Sequence, residues 1–308
     1  MGHSPPVVAR SLQKRFGELV AVDGIDFTVQ RGETFGFLGP NGAGKTSTMR
    51  MIGAVSPRGG GELTIFDLDP ESDGARIRRR LGVIPQEDNL DFELTVLENL
   101  VVYAGFFGIA SRVARERAVE LLEFMQLADR RDARVETLSG GMKRRLTIAR
   151  GLINTPDLML LDEPTTGLDP QARHVVWDRL YRLKQRGVTL VLTTHYMDEA
   201  EQLCDRLVVM DRGRIVDEGS PRELMGRHVE KEVVELRFPA GTDNGAPDLD
   251  GLGSRVEVLA DRILIGTDDG DATAHAVHER GIAPESVLVR RSTLEDVFLS
   301  LTGRTLVD

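Results

Sequence analysis

Two glycines five positions apart, Gly39 and Gly44, stand directly before Lys45 and Thr46. This is the P-loop pattern, in which a curled loop and the start of the next helix direct several backbone N–H groups at one anion. Lys45 can reach the β- and γ-phosphates of a nucleoside triphosphate, and Thr46 can offer its hydroxyl to Mg²⁺. A simple glycine-rich turn is the weaker interpretation, because an apolar run precedes the loop and a helical pattern follows it. The residues expected to bind the nucleotide are Gly39, Pro40, Asn41, Gly42, Ala43, Gly44, Lys45, Thr46 and Ser47.

Two adjacent carboxylates, Asp162 and Glu163, end a second apolar run, Leu158 to Leu161. If this run is a strand of a parallel sheet, its carboxyl end opens beside the P-loop, where ligands bind in such folds. Asp162 then fits a Mg²⁺ partner, directly or through water. Glu163 fits the group that orients or deprotonates an attacking water. Two solvated turn residues are the alternative, and the P-loop upstream makes it the weaker one.

A second glycine-rich stretch contains Ser139, Gly140 and Gly141. Ser139 can cap a helix that we expect from Met142 to Leu152, and the two glycines leave the backbone N–H groups at its start accessible. The stretch therefore predicts a second anion site. An ordinary helix cap after a loop is the alternative.

Two further side chains stand where they could reach a nucleotide. His195 follows the apolar run Val188 to Thr193, which predicts a strand next to the one carrying Glu163, so His195 could hydrogen-bond a γ-phosphate or the attacking water. A polar turn residue is the alternative for His195. Phe16 lies at a turn upstream of the P-loop, and the residues alone leave open whether it packs in the core or stacks on a base.

The elements that must position these residues follow from the patterns of the chain. Residues 7–30 alternate apolar and polar positions around two turns, which predicts an antiparallel strand pair ahead of the P-loop strand. A helical insert is expected at about residues 95–152, opened by the capping box that begins at Thr95. Its apolar stretch, Leu100 to Phe107, is either a buried helix face, which we favour, or an exposed contact surface. The order of elements predicts an α/β fold.

The composition changes after about residue 226. Residues 240–254 are rich in Gly, Asp and Pro and predict a loop inside a second unit. We expect a small C-terminal α+β domain at residues 227–308, without catalytic residues, whose last helix begins at a capping box from Ser292 to Glu295.

Composition excludes several classes of protein. The 308 residues carry a net charge of −10, whereas nucleic-acid binding needs a basic face. No run reaches the roughly 18 uncharged apolar residues of a membrane helix, and the first residues lack the apolar core of a signal peptide, so we expect a chain that stays in the cytoplasm. The single cysteine, Cys204, can form no internal disulfide and is expected to be a buried thiol.

Five stretches taken together resemble, in order and spacing, the nucleotide-binding subunits of ABC transporters: LGPNGAGKTST, VIPQE, LSGGMKRRL, LMLLDEPTTGLD and TTHYMDEAEQLCD. LSGG ahead of LLDEP, with a later strand-end histidine, is highly specific, whereas P-loops alone are widespread. The likeness covers about residues 7–226. It implies an ABC-type P-loop NTPase domain at residues 1–226, with an antiparallel β subdomain and the helical insert.

The resemblance also implies a role for each matching residue. The catalytic residues are then Glu163 as base, His195 as γ-phosphate switch and Gln86, which senses Mg²⁺ and couples to a membrane partner. Phe16 becomes the aromatic residue that stacks on adenine. The Mg²⁺ bound with ATP is expected at Thr46, Gln86 and Asp162.

In this family the second anion site acts across a dimer. The resemblance implies that Ser139, Gly140 and Gly141 of one subunit cap the ATP held by the P-loop of the other, with Asp169 in the loop that contacts the partner. The working unit is then a homodimer that closes on two ATP molecules and reopens after hydrolysis.

Two segments, PTTGLDPQARHVVWDRL and STLEDVFLSLTGR, are similar to export ATPases of the daunorubicin-resistance and nodulation-factor kind. These work with a separate membrane-spanning permease. We therefore expect ATP hydrolysis that drives efflux of a drug, lipid or saccharide-type substrate, by a subunit held on the cytoplasmic side of the cell membrane. The rival is a soluble ABC-type ATPase acting on ribosomes or nucleic acid; such relatives usually carry two cassettes or a long coiled coil, and this chain has one cassette and a short insert.

Overall fold

The structure is a computed structural model that describes residues 4–238, 249–259 and 261–303. The chain divides into two compact units, Met1–Glu218 and Gly219–Asp308. None of the helices in the described ranges combines the length and the hydropathy that crossing a membrane requires.

The first unit alternates strands and helices, which confirms the predicted α/β class. Its strands are β1 (Val7–Phe16), β2 (Leu19–Val29), β3 (Thr34–Leu38), β4 (Gly60–Ile65), β5 (Leu81–Ile84), β6 (Leu158–Asp162), β7 (Thr189–Thr194), β8 (Arg206–Asp211) and β9 (Arg214–Gly219). Its helices are α1 (Lys45–Ile52), α2 (Gly74–Arg78), α3 (Val96–Gly105), α4 (Ser111–Phe124), α5 (Gly140–Leu152), α6 (Pro170–Gln185) and α7 (Met197–Leu203). Two 3₁₀ turns, Ala128–Arg130 and Val135–Thr137, precede α5.

The central sheet has six strands in the order β5-β6-β7-β3-β8-β9. Its first five strands are parallel, and β3 and β7 are buried along their whole length, as strands with both faces covered must be. The last strand returns from β8 through Arg212 and Gly213, both with positive φ, as a tight hairpin turn requires. The predicted hairpin at these two residues is confirmed.

The parallel strands bring the predicted site residues to one edge of the sheet. The carboxyl ends of β3, β5, β6 and β7 meet there, at Leu38, Ile84, Asp162 and Thr194. One predicted site element follows each of these strand ends: the P-loop, the segment of Gln86, Glu163 and His195. The topology of the sheet therefore makes them neighbours.

A smaller antiparallel sheet, β2-β1-β4, packs beside the central one. The predicted strand pair is confirmed, and β4 extends it to three strands. Phe27 of β2 contacts Phe37 of β3 edge to face, with ring centroids 5.1 Å apart, in a fully buried aromatic cluster. This packing fixes the antiparallel sheet against the P-loop strand.

The helical insert contains α3, α4 and α5. The capping box at Thr95 is present, because Thr95 accepts from the backbone N–H of Glu98 and the Glu98 carboxylate accepts from that of Thr95. The apolar stretch serves both alternatives: Leu100 is fully buried, whereas Phe106 is 81% exposed. Helix α5 begins at Gly140, two residues earlier than predicted, because Ser139 is its N-cap.

The second unit consists of α8 (Pro221–His228), β10 (Glu232–Arg237), β11 (Arg255–Val258), β12 (Arg262–Thr267), α9 (Gly270–Glu279), β13 (Ser286–Arg291) and α10 (Leu294–Thr302). Its antiparallel sheet, β11-β12-β10-β13, buries Val234, Ile263 and Ile265 against Val277 of α9. Because α8 packs against α10, the unit starts before this helix, while the expected domain division after residue 226 stays a prediction.

The start of the last helix differs from the sequence-based prediction. The last helix is capped by Thr293, whose backbone N–H donates to the Asp296 carboxylate over 2.8 Å, so the predicted box at Ser292 and Glu295 was wrong by one residue. Ser292 instead donates its hydroxyl proton to the backbone oxygen of Glu230 over 2.5 Å. Residues 240–248 of the predicted loop lie outside the described residues.

Candidate active site

The P-loop connects β3 to α1 and needs glycine for its shape. Gly44 has a φ of 102°, and a Cβ there would lie 2.3 Å from the backbone oxygen of Ala21. Lys45, the first residue of α1, is only 4% exposed and donates to the carbonyls of Gly39 and Pro40 over 2.6 and 2.9 Å. Its ammonium group therefore lies across the loop, where it can exchange these carbonyls for phosphate oxygens.

Burial lowers the pKa of Lys45 below its ordinary value, and the carboxylates of Glu163 and Asp162 oppose this shift. The two carboxylates thus favour the charged form of the Lys45 ammonium at one edge of the sheet. A buried ammonium group at this position fits a site that binds a polyanion.

Oxygen atoms from three elements meet at Asp162. Its Oδ1 accepts from the hydroxyl of Thr193 over 2.5 Å and from that of Thr46 over 3.3 Å. Hydroxyl, carboxylate and amide oxygens are the donors that Mg²⁺ prefers. Thr46 and Asp162 supply the first two, and the side chain of Gln86 lies beside them, so these residues fit the Mg²⁺ that accompanies ATP.

Glu163 is only 7% exposed, and several hydrogen bonds fix its side chain and backbone. Its Oε2 accepts from Nε2 of Gln86 over 3.2 Å and from Oγ1 of Thr166 over 3.1 Å. Its backbone N–H donates to the carbonyl of Thr193 over 3.1 Å, and its φ of 46° turns the chain sharply after β6. The carboxylate is therefore fixed in place before any ligand binds.

The other oxygen of Glu163 faces His195. Nδ1 of His195 lies 3.3 Å from Oε1 of Glu163, an ion-pair distance, while within the described ranges this nitrogen has no hydrogen-bond partner of good geometry. The polar contact with His195 lowers the pKa of Glu163 below its ordinary value, against the burial that raises it. Glu163 is therefore ionised at neutral pH and able to accept a proton.

The P-loop, Gln86 and Glu163 line one cavity of about 390 Å³, whereas Asp162 lines a neighbouring cavity of about 410 Å³ and His195 lines neither. Phe16 stands at its rim, 51% exposed, with Nζ of Lys14 5.0 Å from the ring centroid. The exposed ring is thus available to a planar base. The lining consists of Phe16, Leu19, Ala21, Asn41, Gly42, Ala43, Gly44, Lys45, Thr46, Ser47, Gln86 and Glu163.

The second predicted anion site lies apart from this cavity. Ser139 caps α5 by accepting from the N–H of Met142 over 3.3 Å, and Asp169 caps α6 by accepting from that of Ala172 over 2.9 Å. Both caps are exposed, and neither lines the cavity. Gly141 packs so closely on α6 that a Cβ would lie 2.7 Å from that of Ala172, which joins the starts of the two helices.

The sequence reasoning missed three residues of the site. Thr193 holds both Asp162 and Glu163, and a threonine pair directly before His195 was the available signal. Thr166 lies within the quoted stretch LMLLDEPTTGLD but was assigned no role. Arg144, in LSGGMKRRL, donates to the backbone oxygens of residues on both sides of the site.

Known proteins resemble the chain over almost all of its length. The chain is 45% identical over 303 residues to the "Nod factor export ATP-binding protein I" of Burkholderia thailandensis, covering 98% of this chain and 99% of the relative. A protein of the same name from Rhizobium sp. strain N33 is 47% identical over 294 residues, with 95% of each chain covered. The chain belongs to the ATP-binding subunits of ABC transporters, of the nodulation-factor export type.

Family models and solved structures agree with this membership. The ABC transporter model matches residues 22–166, and the model of the C-terminal domain of the nodulation factor export protein NodI matches residues 243–303. A dimeric ATP-binding cassette in a post-hydrolysis state, bound to ADP and Pi, superposes with a TM-score of 0.63 at 28% identity, covering 70% of this chain and 98% of the cassette. The cbiO1 protein of Clostridium perfringens, part of the cbiONQ ABC transporter complex, gives a TM-score of 0.68 at 26% identity, covering 73% and 92%. As a member of this family the chain is an ATPase.

Proposed function

We propose that the chain binds and hydrolyses ATP to drive export through a separate membrane-spanning permease. The observation that carries the proposal is the preformed cavity in which Phe16, the P-loop, Gln86 and Glu163 converge. The likeness to export ATP-binding proteins over nearly the full length supports the same direction of transport. The cassette at residues 1–226 does this work, with an accessory domain at residues 227–308.

ATP binding uses the loop and its neighbours. The adenine stacks on Phe16, and the phosphates take the backbone N–H groups of the P-loop, while Lys45 leaves the carbonyls of Gly39 and Pro40 for the β- and γ-phosphate oxygens. Thr46, Asp162 and Gln86 would hold Mg²⁺, which supplies positive charge that offsets the phosphate oxygens.

Hydrolysis then depends on the carboxylate at the end of β6. Glu163 orients the attacking water and accepts its proton, a role that contributes about 10²–10⁴-fold in rate. The hydrogen bonds from Gln86 and Thr166 fix the carboxylate, and His195 donates to a γ-phosphate oxygen. The pKa of Glu163 lies below its ordinary value, so the carboxylate is ionised at neutral pH and has a free lone pair for the proton of the water.

The exposed caps support a closed homodimer. Ser139, Gly140 and Asp169 are all exposed and absent from the lining of the chain's own cavity. The N-terminus of α5 offers backbone N–H groups that can bind an anion. A second copy would place its Ser139, Gly140 and Gly141 against the γ-phosphate, so that the dimer closes on two ATP molecules and reopens after hydrolysis.

A groove on the first unit suits the permease. It has a volume of about 410 Å³ and runs from Thr46 past Gln86 to Val55 and Val83, which are 69% and 43% exposed. Phe106, 81% exposed on the helical insert, is a further apolar side chain that a partner would cover. A cytoplasmic segment of the permease seated in this groove would contact Gln86 and hold the subunit on the cytoplasmic side of the membrane.

The substrate is chosen by the permease rather than by this chain. A drug, lipid or saccharide-type molecule is proposed, and the likeness to Nod factor export ATP-binding proteins makes a Nod factor the first candidate. The test is ATP-dependent transport into inside-out vesicles that contain the chain and its separate permease, with Nod factor and a panel of the other classes as probes.

Three variants sharpen this test. We expect transport with the wild-type chain and none with Lys45→Ala, which loses the phosphate contacts. Phe106→Asp should lose co-purification with the permease and keep ATP binding, whereas Glu62→Gln, a 75% exposed side chain on β4, should change neither. A wild-type chain that binds both Mg-ATP and the permease and still transports none of the probes would overturn the proposal.

A further inference from the structure

One buried guanidinium group connects three segments of the active site. Arg144 lies in the second turn of α5, five residues after Ser139, and is 4% exposed. Its Nε donates to the carbonyl of Pro164 over 2.6 Å. Its Nη1 donates to the carbonyls of Pro85 and Gln86 over 2.6 and 3.3 Å, and its Nη2 to those of Asp162 and Glu163, both over 3.1 Å.

These contacts close a triangle around the reacting groups. The side chains of Gln86 and Glu163 touch each other over 3.2 Å, and the backbone carbonyls of the same two residues accept from Arg144. Neither residue can therefore shift its backbone without breaking a bond to α5. The rigid helix in turn carries Ser139 at its start.

The position is costly for a charged side chain. Burial lowers the pKa of Arg144, and the nearest carboxylate, Asp88, is 3.4 Å away. Backbone carbonyls, rather than a close ion pair, supply most of its partners. A buried cation is strongly destabilising when its partners are lost, so this arrangement holds only while all three segments stay in register.

We propose that Arg144 is a positioning residue for ATP hydrolysis, which fixes the Gln86 and Glu163 loops to the helix that begins at Ser139. Movement of Gln86 in the permease groove is then transmitted to the base and to the ATP-capping end of α5 together. This inference rests on the proposed function for its consequence in transport, while its structural part can be measured without it.

The same helix offers a matched control. Arg150 donates from Nη1 to the carbonyl of Asn89 over 2.6 Å and from Nη2 to that of Asp88 over 3.0 Å, and its guanidinium lies 4.9 Å from the ring centroid of Tyr103. Arg150 is partly buried, and burial likewise lowers its pKa. It contacts neither Gln86 nor Glu163 by these bonds, so its loss removes similar interactions from the same helix without touching the triangle.

The informative variant is Arg144→Lys. Lysine keeps the charge but replaces three nitrogens in a planar fork by one, which can serve only part of the carbonyls. Arg144→Met is harsher, because it leaves buried carbonyls without donors, and it can fail to fold. Arg144→Lys therefore decides the test, with Arg150→Lys as its partner.

Hydrogen exchange of the nucleotide-free full chain, read by mass spectrometry, gives the first result. We expect Arg144→Lys to speed exchange in peptides covering both residues 81–88 and residues 160–168, and Arg150→Lys to leave residues 160–168 at the wild-type rate. Unchanged exchange at residues 160–168 in Arg144→Lys, or the same increase in both variants, would overturn the proposal.

Steady-state hydrolysis gives the second result. Misplacing a base from a distance lowers kcat by about 10- to 100-fold, so we expect this for Arg144→Lys with the KM for ATP changed less than about threefold. Arg150→Lys should keep both parameters near wild type. A kcat at the wild-type level for Arg144→Lys, or a kcat that falls in both variants in step with their thermal stability, would reduce Arg144 to a structural role. A wild-type chain without hydrolysis would contradict the proposed function alone, since the exchange data still decide whether Arg144 positions the two loops.

Discussion

Glu163→Gln removes one charge from the active site and almost nothing of its shape. The oxygen of the new amide can still accept from Nε2 of Gln86 and Oγ1 of Thr166, the two donors now 3.2 and 3.1 Å from Oε2. The amide nitrogen then faces Nδ1 of His195. This ring nitrogen can accept a hydrogen bond from the amide when it carries no proton. The backbone contacts to Thr193 are unaffected. The substitution should therefore isolate the loss of the base.

The magnitude follows from this geometry. General-base catalysis contributes about 10²–10⁴-fold, so kcat should fall by that factor, which corresponds to about 3–5 kcal/mol in the activation free energy. Because the phosphate contacts of Lys45 and the P-loop are untouched, the KM for ATP should stay within about threefold. Phosphate release at saturating Mg-ATP measures the first quantity, and a titration with ATP measures the second.

The control is Glu62→Gln, which removes the same charge from an exposed side chain on β4 and should leave both parameters unchanged. A Glu163→Gln chain that keeps more than about a tenth of the wild-type kcat would show that Glu163 is not the general base, because positioned bases contribute at least about 10²-fold.

Three further predictions concern Glu199, Cys204 and Gly44. Glu199 is fully buried and burial raises its pKa, so the stability it contributes is present at low pH and lost as pH rises through that pKa. Since Oε1 alone accepts from Thr165 and Trp177, Glu199→Gln can keep both bonds and should raise the Tm at pH 8 more than at pH 5, whereas an equal change at both would contradict the burial argument. Burial also raises the pKa of the Cys204 thiol, so a disulfide reagent should label it slowly in the folded chain and rapidly in urea; rapid labelling without urea would count against a buried thiol. Gly44→Ala should weaken binding of a fluorescent ATP analogue at least about tenfold, because backbone strain of about 1–3 kcal/mol adds to the clash with Ala21, whereas Gly187→Ala, at a positive φ in open space, should bind normally; equal binding by both would exclude the clash.

Much of the site was predictable because its residues occur in contiguous patterns. Glycine spacing before Lys45 and an apolar run before Asp162 and Glu163 each imply a local structure, and a parallel sheet brings the ends of its strands together. His195 was placed beside Glu163 by the same rule, and the structure puts them 3.3 Å apart.

The remaining features depend on tertiary contacts that no local pattern contains. Arg144 reads as one more surface cation in a basic stretch, and only the meeting of β5, β6 and α5 surrounds it with carbonyls. The cap of the last helix shifted to Thr293 because Asp296, which also pairs with Arg290 over 2.7 Å, outcompetes the neighbouring Glu295. The apolar stretch from Leu100 to Phe107 was expected to be a buried face, but a helix that is apolar on all sides buries only what its neighbours cover, so Leu100 is buried and Phe106 is exposed.

In the proposed dimer two chains close on ATP, and Ser139 of each chain covers the nucleotide of the other. Light scattering of Glu163→Gln with and without Mg-ATP tests it most directly, because this variant should bind ATP without consuming it. We expect twice the mass of the 34.0 kDa chain with Mg-ATP, the mass of one chain without it, and no doubling when Ser139→Arg is added. A Glu163→Gln chain that carries bound ATP and keeps the mass of one chain, or one that still doubles with Ser139→Arg, would contradict it.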